Sequence, residues 1–144
     1  MSLFSPHPPI DHDRIVAAIS DAERKTSGEI RVLIARQKAV DPVATATWHF
    51  ERLGMTKTSK RNGVLIFVSP RSRTFAVIGD TAVHEKCGDS FWRVLAATIG
   101  SHFKTGDFTG GLVHGIERAG ALLAENFPRE PGDRNELPNR VEET

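Results

Sequence analysis

The stretch Asn62-Gly63-Val64-Leu65-Ile66-Phe67-Val68-Ser69-Pro70 decides the fold. Its residues from Val64 to Val68 are all apolar, so a strand formed here has no polar face to turn toward water. Such a strand needs cover on both faces, which is typical of a central strand in a layered α/β sheet. The Asn-Gly pair before it and the Ser-Pro pair after it favour turns. The stretch therefore predicts a short strand buried between two layers.

Two further strands are predicted beside this one. Thr74 to Ile78 follows after a polar turn, so we expect it to pair with the central strand as an antiparallel hairpin that ends at Gly79-Asp80. Glu29 to Ala35 is rich in β-branched residues and alternates apolar with other positions. It is predicted as the first strand, parallel to the central one.

Four helices are predicted from their caps and apolar spacing. Asp11 or Asp13 caps the first, Asp41-Pro42 starts the second, and Asp89 starts the third. The last helix is predicted from residues 109 to 126. The order helix, strand, helix, strand, strand, helix, helix predicts a three-layer α/β/α sandwich with a small mixed sheet of three or four strands.

Small residues recur along one stripe of the last helix, at Gly111, Gly115 and Ala119. A glycine inside a helix costs about 1 kcal/mol in helix propensity, so a packing reason is expected. We expect this stripe to let the helix backbone approach the sheet closely.

The chain has 144 residues, of which 39% are hydrophobic and 26% charged, as in an ordinary globular domain. We expect an irregular N-terminal arm over residues 1–10, one folded unit over 11–127 and a flexible tail over 128–144. The net charge of +1 excludes binding to polyelectrolytes through the whole surface.

No targeting signal is evident. The N-terminus lacks a basic region followed by an apolar run, and the apolar run Val64 to Val68 is far shorter than a membrane helix. Cys87 is the only cysteine, which excludes an internal disulfide. We therefore expect a soluble, cytoplasmic protein without a membrane segment.

The strand directions bring acidic segments together at one corner of the sheet. The hairpin returns Asp80 to the start of the central strand at Asn62, and the parallel first strand starts at Glu29 beside it. Asp89, at the start of the third helix, follows soon after Asp80. Carboxylate and amide oxygens are the ligands that Ca²⁺ or Mg²⁺ takes. The sequence therefore predicts a cation site formed by Glu29, Asn62, Asp80 and Asp89.

A purely structural interpretation of this corner stays open. Glu29 can pair with Lys60 or Arg61, Asn62 can serve the turn alone, and Asp89 can be only an N-cap.

Basic residues and a cysteine offer weaker hypotheses. Lys57, Lys60 and Arg61 precede the central strand while Arg71 and Arg73 follow it, so they lie at opposite sheet ends and give no clear nucleic-acid footprint. His84 and Cys87 lack the further ligands of a zinc site and the placed base of a cysteine nucleophile. Solvated loops and a small apolar cysteine are the favoured interpretations.

Several segments in order resemble the TPM domain family, formerly a domain of unknown function: Thr26-Ser-Gly-Glu-Ile-Arg-Val, Phe50-Glu-Arg-Leu-Gly-Met55, Asn62-Gly-Val-Leu-Ile-Phe-Val and Phe75-Ala-Val-Ile-Gly-Asp80. The segment from Phe103 to Ile116 is also similar to that family's C-terminal pattern. The resemblance covers about residues 12–127 and implies the same sandwich. It also implies accessory roles, with phosphatase activity and divalent cation binding in parts of the family. The chain departs from the family at Lys60-Arg61, where many relatives carry acidic residues.

The first functional hypothesis is therefore a non-enzymatic accessory or interaction module of the TPM type with an unknown protein partner. The alternative is a metal-assisted phosphatase that uses the acidic corner. A phosphate or nucleic-acid binder is the weaker alternative.

Overall fold

The computed structural model describes residues 9–133 and 141–144. Its elements follow in the order α1 (His12–Glu23), β1 (Glu29–Ile34), α2 (Pro42–Arg52), a 3₁₀ turn (Met55–Lys57), β2 (Gly63–Ser69), β3 (Thr74–Gly79), α3 (Thr81–Phe103), α4 (Phe108–Asn126) and β4 (Val141–Glu143). The four strands form one sheet in the order β3-β2-β1-β4. Within the described residues, no helix has the length and apolar character needed to cross a membrane.

β2 is the central strand that its sequence predicts. It pairs parallel with β1 and antiparallel with β3, and every one of its residues is buried. α2 carries the chain from β1 to β2, as expected for a parallel crossover. The predicted hairpin of β2 and β3 is confirmed.

The sheet is covered on both faces, which confirms the three-layer arrangement. The larger core lies between one face and the helices α1, α3 and α4, and includes Ile30, Ile66 and Leu95. The smaller core lies on the other face under α2 and includes Leu33, Phe50 and Phe67. Alternate residues of β1 and β2 therefore contribute to different cores.

Asp11 caps α1 and Asp41 caps α2, each accepting a backbone N–H of its helix. The third helix begins earlier than predicted, because Asp80 caps it at Thr81. Gly88 interrupts α3 with a positive φ of 72°, a conformation that glycine adopts without steric cost. Asp89 thus starts only the second segment of α3.

The small-residue stripe of α4 faces a helix rather than the sheet. A Cβ added at Gly111 would lie 2.8 Å from the Phe103 ring, and one at Gly115 would lie 2.7 Å from Ile99. Both contacts are on α3, so the stripe sets the spacing between α3 and α4. The expectation that the stripe approaches the sheet is wrong, because the side chains that meet Gly111 and Gly115 belong to α3.

The strand β4 was not expected from the sequence. Val141, Glu142 and Glu143 pair in parallel with Val32 to Ile34. Part of the stretch predicted as a flexible tail is thus a strand of the sheet. Residues 1–8 of the predicted N-terminal arm and residues 134–140 of the predicted tail lie outside the described residues.

Candidate functional site

The corner predicted from the strand directions is present in the backbone. Glu29 lies opposite Gly63 in the parallel pairing of β1 and β2, and its N–H donates to the Asn62 carbonyl at 3.4 Å. The Asp80 N–H donates to the Gly63 carbonyl at 2.9 Å. Glu29, Asn62 and Asp80 are all buried. Three of the four predicted site residues therefore come from segments that meet at one corner.

A bidentate ion pair holds the Asp80 carboxylate. Arg61 donates from Nε to Oδ2 and from Nη2 to Oδ1, both at 2.7 Å. Oδ1 also accepts the Thr81 N–H at 2.7 Å, which makes Asp80 the N-cap of α3. Hydrogen bonding to Asp80 and its negative charge raise the pKa of the Arg61 guanidinium. The Asp80 carboxylate is thus already paired with a positive charge of the chain itself, the Arg61 guanidinium.

The backbone of Arg61 is fixed as firmly as its side chain. Its φ is 52°, in the left-handed region that residues other than glycine seldom adopt. Its carbonyl accepts the Ala82 N–H at 3.1 Å, which ties the loop before β2 to the start of α3. This conformation presents the guanidinium to Asp80.

Asn62 and Lys60 also have partners nearby. The Asn62 amide donates from Nδ2 to Ser27 Oγ at 3.3 Å. Lys60 Nζ lies 3.4 Å from Asp133 and 3.9 Å from Glu130. Lys60 and Arg61 therefore pair with acids from other segments, Lys60 with Asp133 and Glu130 and Arg61 with Asp80.

A buried carboxyl group that was not predicted from the sequence lies beside this corner. Glu23 ends α1 and is 3% exposed, and its Oε2 accepts the Ile30 N–H at 2.8 Å. Burial, aided by the charge of Glu29, raises the pKa of Glu23 to about 8. Glu23 is therefore mainly protonated at neutral pH. Its position four residues after the buried Ile19 continues the apolar stripe of α1, which is the signal that could have identified it.

Asp89 lies apart from the other predicted ligands. It is exposed and follows the break at Gly88, so the first segment of α3 separates it from Asp80. Over residues 9–133 and 141–144, no three histidine, cysteine or acidic side chains are grouped so that they could hold one ion. As arranged, with Arg61 on Asp80, these residues do not fit a cation. The Ca²⁺ or Mg²⁺ site formed by Glu29, Asn62, Asp80 and Asp89 stays a prediction. It requires Arg61 to leave Asp80 and Asp89 to move closer to the other three residues.

His84 and Cys87 do not form a nucleophile pair. His84 packs against the Trp92 ring, with centroids 4.7 Å apart, and Cys87 Sγ accepts from Asn126 Nδ2 at 3.5 Å. Burial raises the pKa of the Cys87 thiol, so it is protonated at neutral pH rather than a reactive thiolate.

A second feature lies along β3, which is an outer strand of the sheet. In the part of the chain that the structure describes, β3 pairs only with β2. Because the Asp80 N–H points to β2, alternation along the strand directs the N–H groups of Phe75, Val77 and Gly79 to the outer side. Phe75 and Val77 are half-buried, so their N–H groups are available to another strand, whereas Gly79 is buried.

A groove of about 700 Å³ runs along this outer side, with Phe75 to Gly79 as its floor, Val43 and Thr47 of α2 as one wall, and His84, Trp92 and Ala96 of α3 as the other. Val43 is 58% exposed. The Trp92 indole packs directly on Gly79, because a Cβ added there would lie 2.4 Å from the ring. The groove is therefore apolar, recessed and lined by backbone.

Two exposed arginines lie in the turn before β3, outside the residues that line the groove. Arg71 and Arg73 are exposed in the turn that precedes β3, and neither forms an ion pair with another described residue. From the sequence, Thr74 to Ile78 is predicted correctly as a strand. The groove itself was missed, because its walls come from helices distant in sequence.

The comparisons with known proteins agree with this architecture. The BA42 protein from the psychrophilic bacterium Bizionia argentinensis, solved by NMR, is 39% identical over 100% of both chains, with a TM-score of 0.90. The N-terminal domain of the cg2496 protein from Corynebacterium glutamicum is 19% identical, covers 76% of this chain and 68% of its own, and has a TM-score of 0.62. The N-terminal domain of a protein from P. gingivalis is 16% identical, covers 77% of this chain and 72% of its own, and has a TM-score of 0.61. The last two show the fold alone. No curated protein sequence matches the chain significantly.

The family model of the TPM domain matches residues 4–122, which is most of the chain. This match includes the corner at Asp80 and the whole of the β3 groove. Together with the full-length similarity to BA42, it establishes that the chain belongs to the TPM domain family.

Proposed function

We propose that this protein is a non-catalytic interaction module that binds an extended segment of a partner protein in the groove along β3. The observation that carries this proposal is the outer strand itself. Its six residues contain neither a charge nor a proline, the usual devices that protect a sheet edge. An extended segment added there gains main-chain hydrogen bonds from β3 and apolar contacts from the groove walls.

The shape of the groove favours a single extended segment over a second copy of this chain. β3 lies on the floor between α2 and α3, with Val43 and Trp92 on opposite walls. A second copy presents the same recessed strand, so the helices of the two copies would meet before their strands could pair. A thin segment of a partner does not meet this obstacle.

The charges predict which segment binds. Arg73 directly precedes β3 and forms no ion pair with another described residue, whereas Arg71 lines a separate pocket together with Arg36 and Glu143. In an antiparallel addition, the C-terminal end of the bound segment lies beside Arg73. The partner segment is therefore apolar at alternate positions and acidic at its C-terminal end, and the acid also increases its rate of association.

Panning random short peptides displayed on phage against the immobilised full-length chain tests this proposal. We expect enriched peptides to alternate apolar residues and to carry an acid near one end. Trp92→Ala should weaken their binding, whereas Trp48→Ala should not, because Trp48 lies outside the groove lining. Arg73→Glu should also weaken it, with Lys25→Glu as the matched control on an exposed lysine at the end of α1.

Three results would contradict the proposal. Peptides that bind Trp92→Ala and Arg73→Glu as well as the wild-type chain would place the contact elsewhere. Enriched sequences with helical rather than alternating apolar spacing would exclude strand addition. A concentration-dependent dimer in solution that Trp92→Ala dissociates would identify a second copy as the occupant.

The alternative function is a cation-dependent hydrolase at the corner of the sheet. It is supported by the convergence of the buried Glu29, Asn62 and Asp80, and opposed by the Arg61 guanidinium that already holds Asp80. Turnover of a generic phosphoester that requires Mg²⁺ or Ca²⁺, and that an Asp80→Asn variant lacks, would favour the hydrolase over the interaction module. We expect no such turnover.

A further inference from the structure

Two histidines from neighbouring helices converge at the end of α3 that is remote from Asp80. His102 lies in the last turn of α3 and His114 in α4. His114 Nδ1 and His102 Nε2 are 2.8 Å apart, and the ring centroids are 4.6 Å apart with the planes inclined by 60°. His114 is exposed and His102 half-buried, so solvent and ions reach both rings.

A carboxylate orients the first of these rings. His102 Nδ1 lies 3.1 Å from Asp107 Oδ2, so this nitrogen carries the proton and donates it to the carboxylate. The His102 Nε2 lone pair then points toward His114. Asp107 is itself fixed as the N-cap of α4, because its Oδ1 accepts the Gly110 N–H at 2.9 Å. The Gly110 hydrogen bond, followed by that of His102, lowers the pKa of Asp107, so it is ionised at neutral pH.

Two glycines allow this close arrangement. A Cβ at Gly110 would lie 2.7 Å from the Asp107 carboxyl carbon, so only glycine lets the carboxylate occupy its place. A Cβ at Gly111 would lie 3.0 Å from the Cβ of His102, so the absent side chain lets α4 approach α3. The separation of His102 and His114 is therefore set by packed backbone rather than by two free side chains.

We propose that His102 and His114 form a binding site for a transition-metal dication of the Zn²⁺ type, with Asp107 as its positioning residue. In such sites a histidine usually binds the metal through one ring nitrogen. Its other ring nitrogen donates a hydrogen bond to a carboxylate, which fixes the orientation of the ring. Imidazole nitrogens suit Zn²⁺, Ni²⁺ and Cu²⁺, whereas Ca²⁺ and Mg²⁺ prefer oxygen. Among the described residues only the two imidazoles are supplied at this point, so water fills the remaining positions, in contrast to the three or four protein ligands of catalytic and structural zinc sites.

Metal binding needs only a small change in this geometry. Two Zn–N bonds of about 2.0–2.1 Å at a tetrahedral angle separate the nitrogens by roughly 3.3 Å, so the pair must open by a few tenths of an ångström. In the metal-free pair, the two facing nitrogens share one hydrogen bond. Coordination needs both of these nitrogens without a proton, so a proton on either of them moves to the far nitrogen of its ring or to solvent.

Titration of the full-length, tag-free protein with Zn²⁺ by calorimetry, together with NMR of the imidazole nitrogens, tests the proposal. We expect saturable binding of one Zn²⁺ that shifts His102 Nε2 and His114 Nδ1. His114→Ala and His102→Ala should each abolish it. Asp107→Asn should weaken it by about 10–100-fold, as loss of an outer-shell carboxylate does. Ca²⁺ should leave both imidazole signals unmoved, which separates this site from the acidic corner.

Matched variants decide where the ion binds. His84→Ala removes an exposed histidine from the same helix, and Cys87→Ser removes the thiol near it. Both should bind Zn²⁺ as the wild-type chain does. Loss of binding in either of them, or unchanged binding in His114→Ala, would overturn the proposal. Since His114 is exposed, the His114→Ala chain should keep its far-ultraviolet circular dichroism, which excludes unfolding as the cause of any loss.

Discussion

The two sides of the sheet end in different ways. Beyond β1, the strand β4 pairs with Val32 to Ile34, and the Glu23 carboxyl accepts the outward N–H of Ile30. Beyond β3, no further strand follows in the described part of the chain, and a recessed groove lies in its place. The outer side of β1 is closed by the chain itself, with the three-residue β4 as the other outer strand, while the outer side of β3 keeps backbone groups available.

The closed edge contains ion pairs, of which the one formed by Arg31 is buried. Arg31 is 3% exposed and donates from Nη2 to Glu142 of β4 at 2.6 Å, and from Nη1 to the Leu53 carbonyl at 3.4 Å. Glu143 pairs with His12 at 3.3 Å. By contrast, β3 is wholly uncharged. The difference teaches that substitutions at the β1 edge should change stability most, while substitutions on β3 that leave the packing of Trp92 undisturbed should change binding more than stability.

The largest expected effect is at the Arg31–Glu142 pair. Glu142→Ala leaves a buried guanidinium without its carboxylate and should lower the free energy of unfolding by about 3–5 kcal/mol. Glu130→Ala is the control, because its contact with Lys60 is long and its side chain is 65% exposed, so a loss of at most about 1 kcal/mol is expected. Urea unfolding of both variants measures the difference. Equal losses would show that the closed edge does not depend on the buried pair.

The next effect is a pH dependence that comes from Glu23. Its pKa is raised from 4.5 in the unfolded chain to about 8 in the fold, so the folded state holds a proton that the unfolded state releases. The stabilisation is complete below pH 4.5 and is lost as pH rises through about 8. At about 1.4 kcal/mol per pKa unit, the wild-type chain should lose roughly 3 kcal/mol between pH 4.5 and pH 7 from this group.

Glu23→Gln should remove this contribution, since glutamine is neutral and keeps an acceptor for the Ile30 N–H. Unfolding free energies of the two chains, measured across the same pH range, should therefore diverge as pH rises. Parallel profiles would mean that Glu23 ionises in the fold as it does in the unfolded chain.

A smaller effect is expected at the open edge. Gly79→Ala places a methyl group 2.4 Å from the Trp92 ring, which must move out of the groove wall. Overpacking of this kind costs about 1–3 kcal/mol. Tryptophan fluorescence in a Trp48→Phe background, which leaves Trp92 as the only indole, should shift to longer wavelength as the ring becomes exposed. An unchanged spectrum would show that Trp92 does not form the wall.

Local patterns predicted much of this fold. Val64 to Val68 identified the central strand because a strand without a polar face must be covered twice. Asp41-Pro42 located the start of α2, and the two strand directions placed Glu29, Asn62 and Asp80 at one corner. Each of these inferences depends on neighbouring residues or on the hydrogen-bonding rules of a sheet.

Features that depend on contacts between distant segments could not be predicted. β4 has only three residues, too few for a periodic pattern, and its partner Arg31 lies 111 residues away from Glu142. The pairing of Asp80 with Arg61 required knowledge of a left-handed backbone that nothing in the residue types indicates. The groove along β3 and the histidine pair arise from the packing of α2, α3 and α4, which sequence spacing alone does not determine.

The most direct test of the account uses one position in β3. Val77→Pro removes an N–H that points away from β2, so it should leave the β2–β3 pairing intact. Val77→Thr keeps that N–H and is the matched control. With the best peptide from the panning experiment, we expect chemical shift changes along β3 in Val77→Thr and none in Val77→Pro, while both chains unfold at similar urea concentrations. Equal binding by a folded Val77→Pro chain would contradict strand addition at this edge.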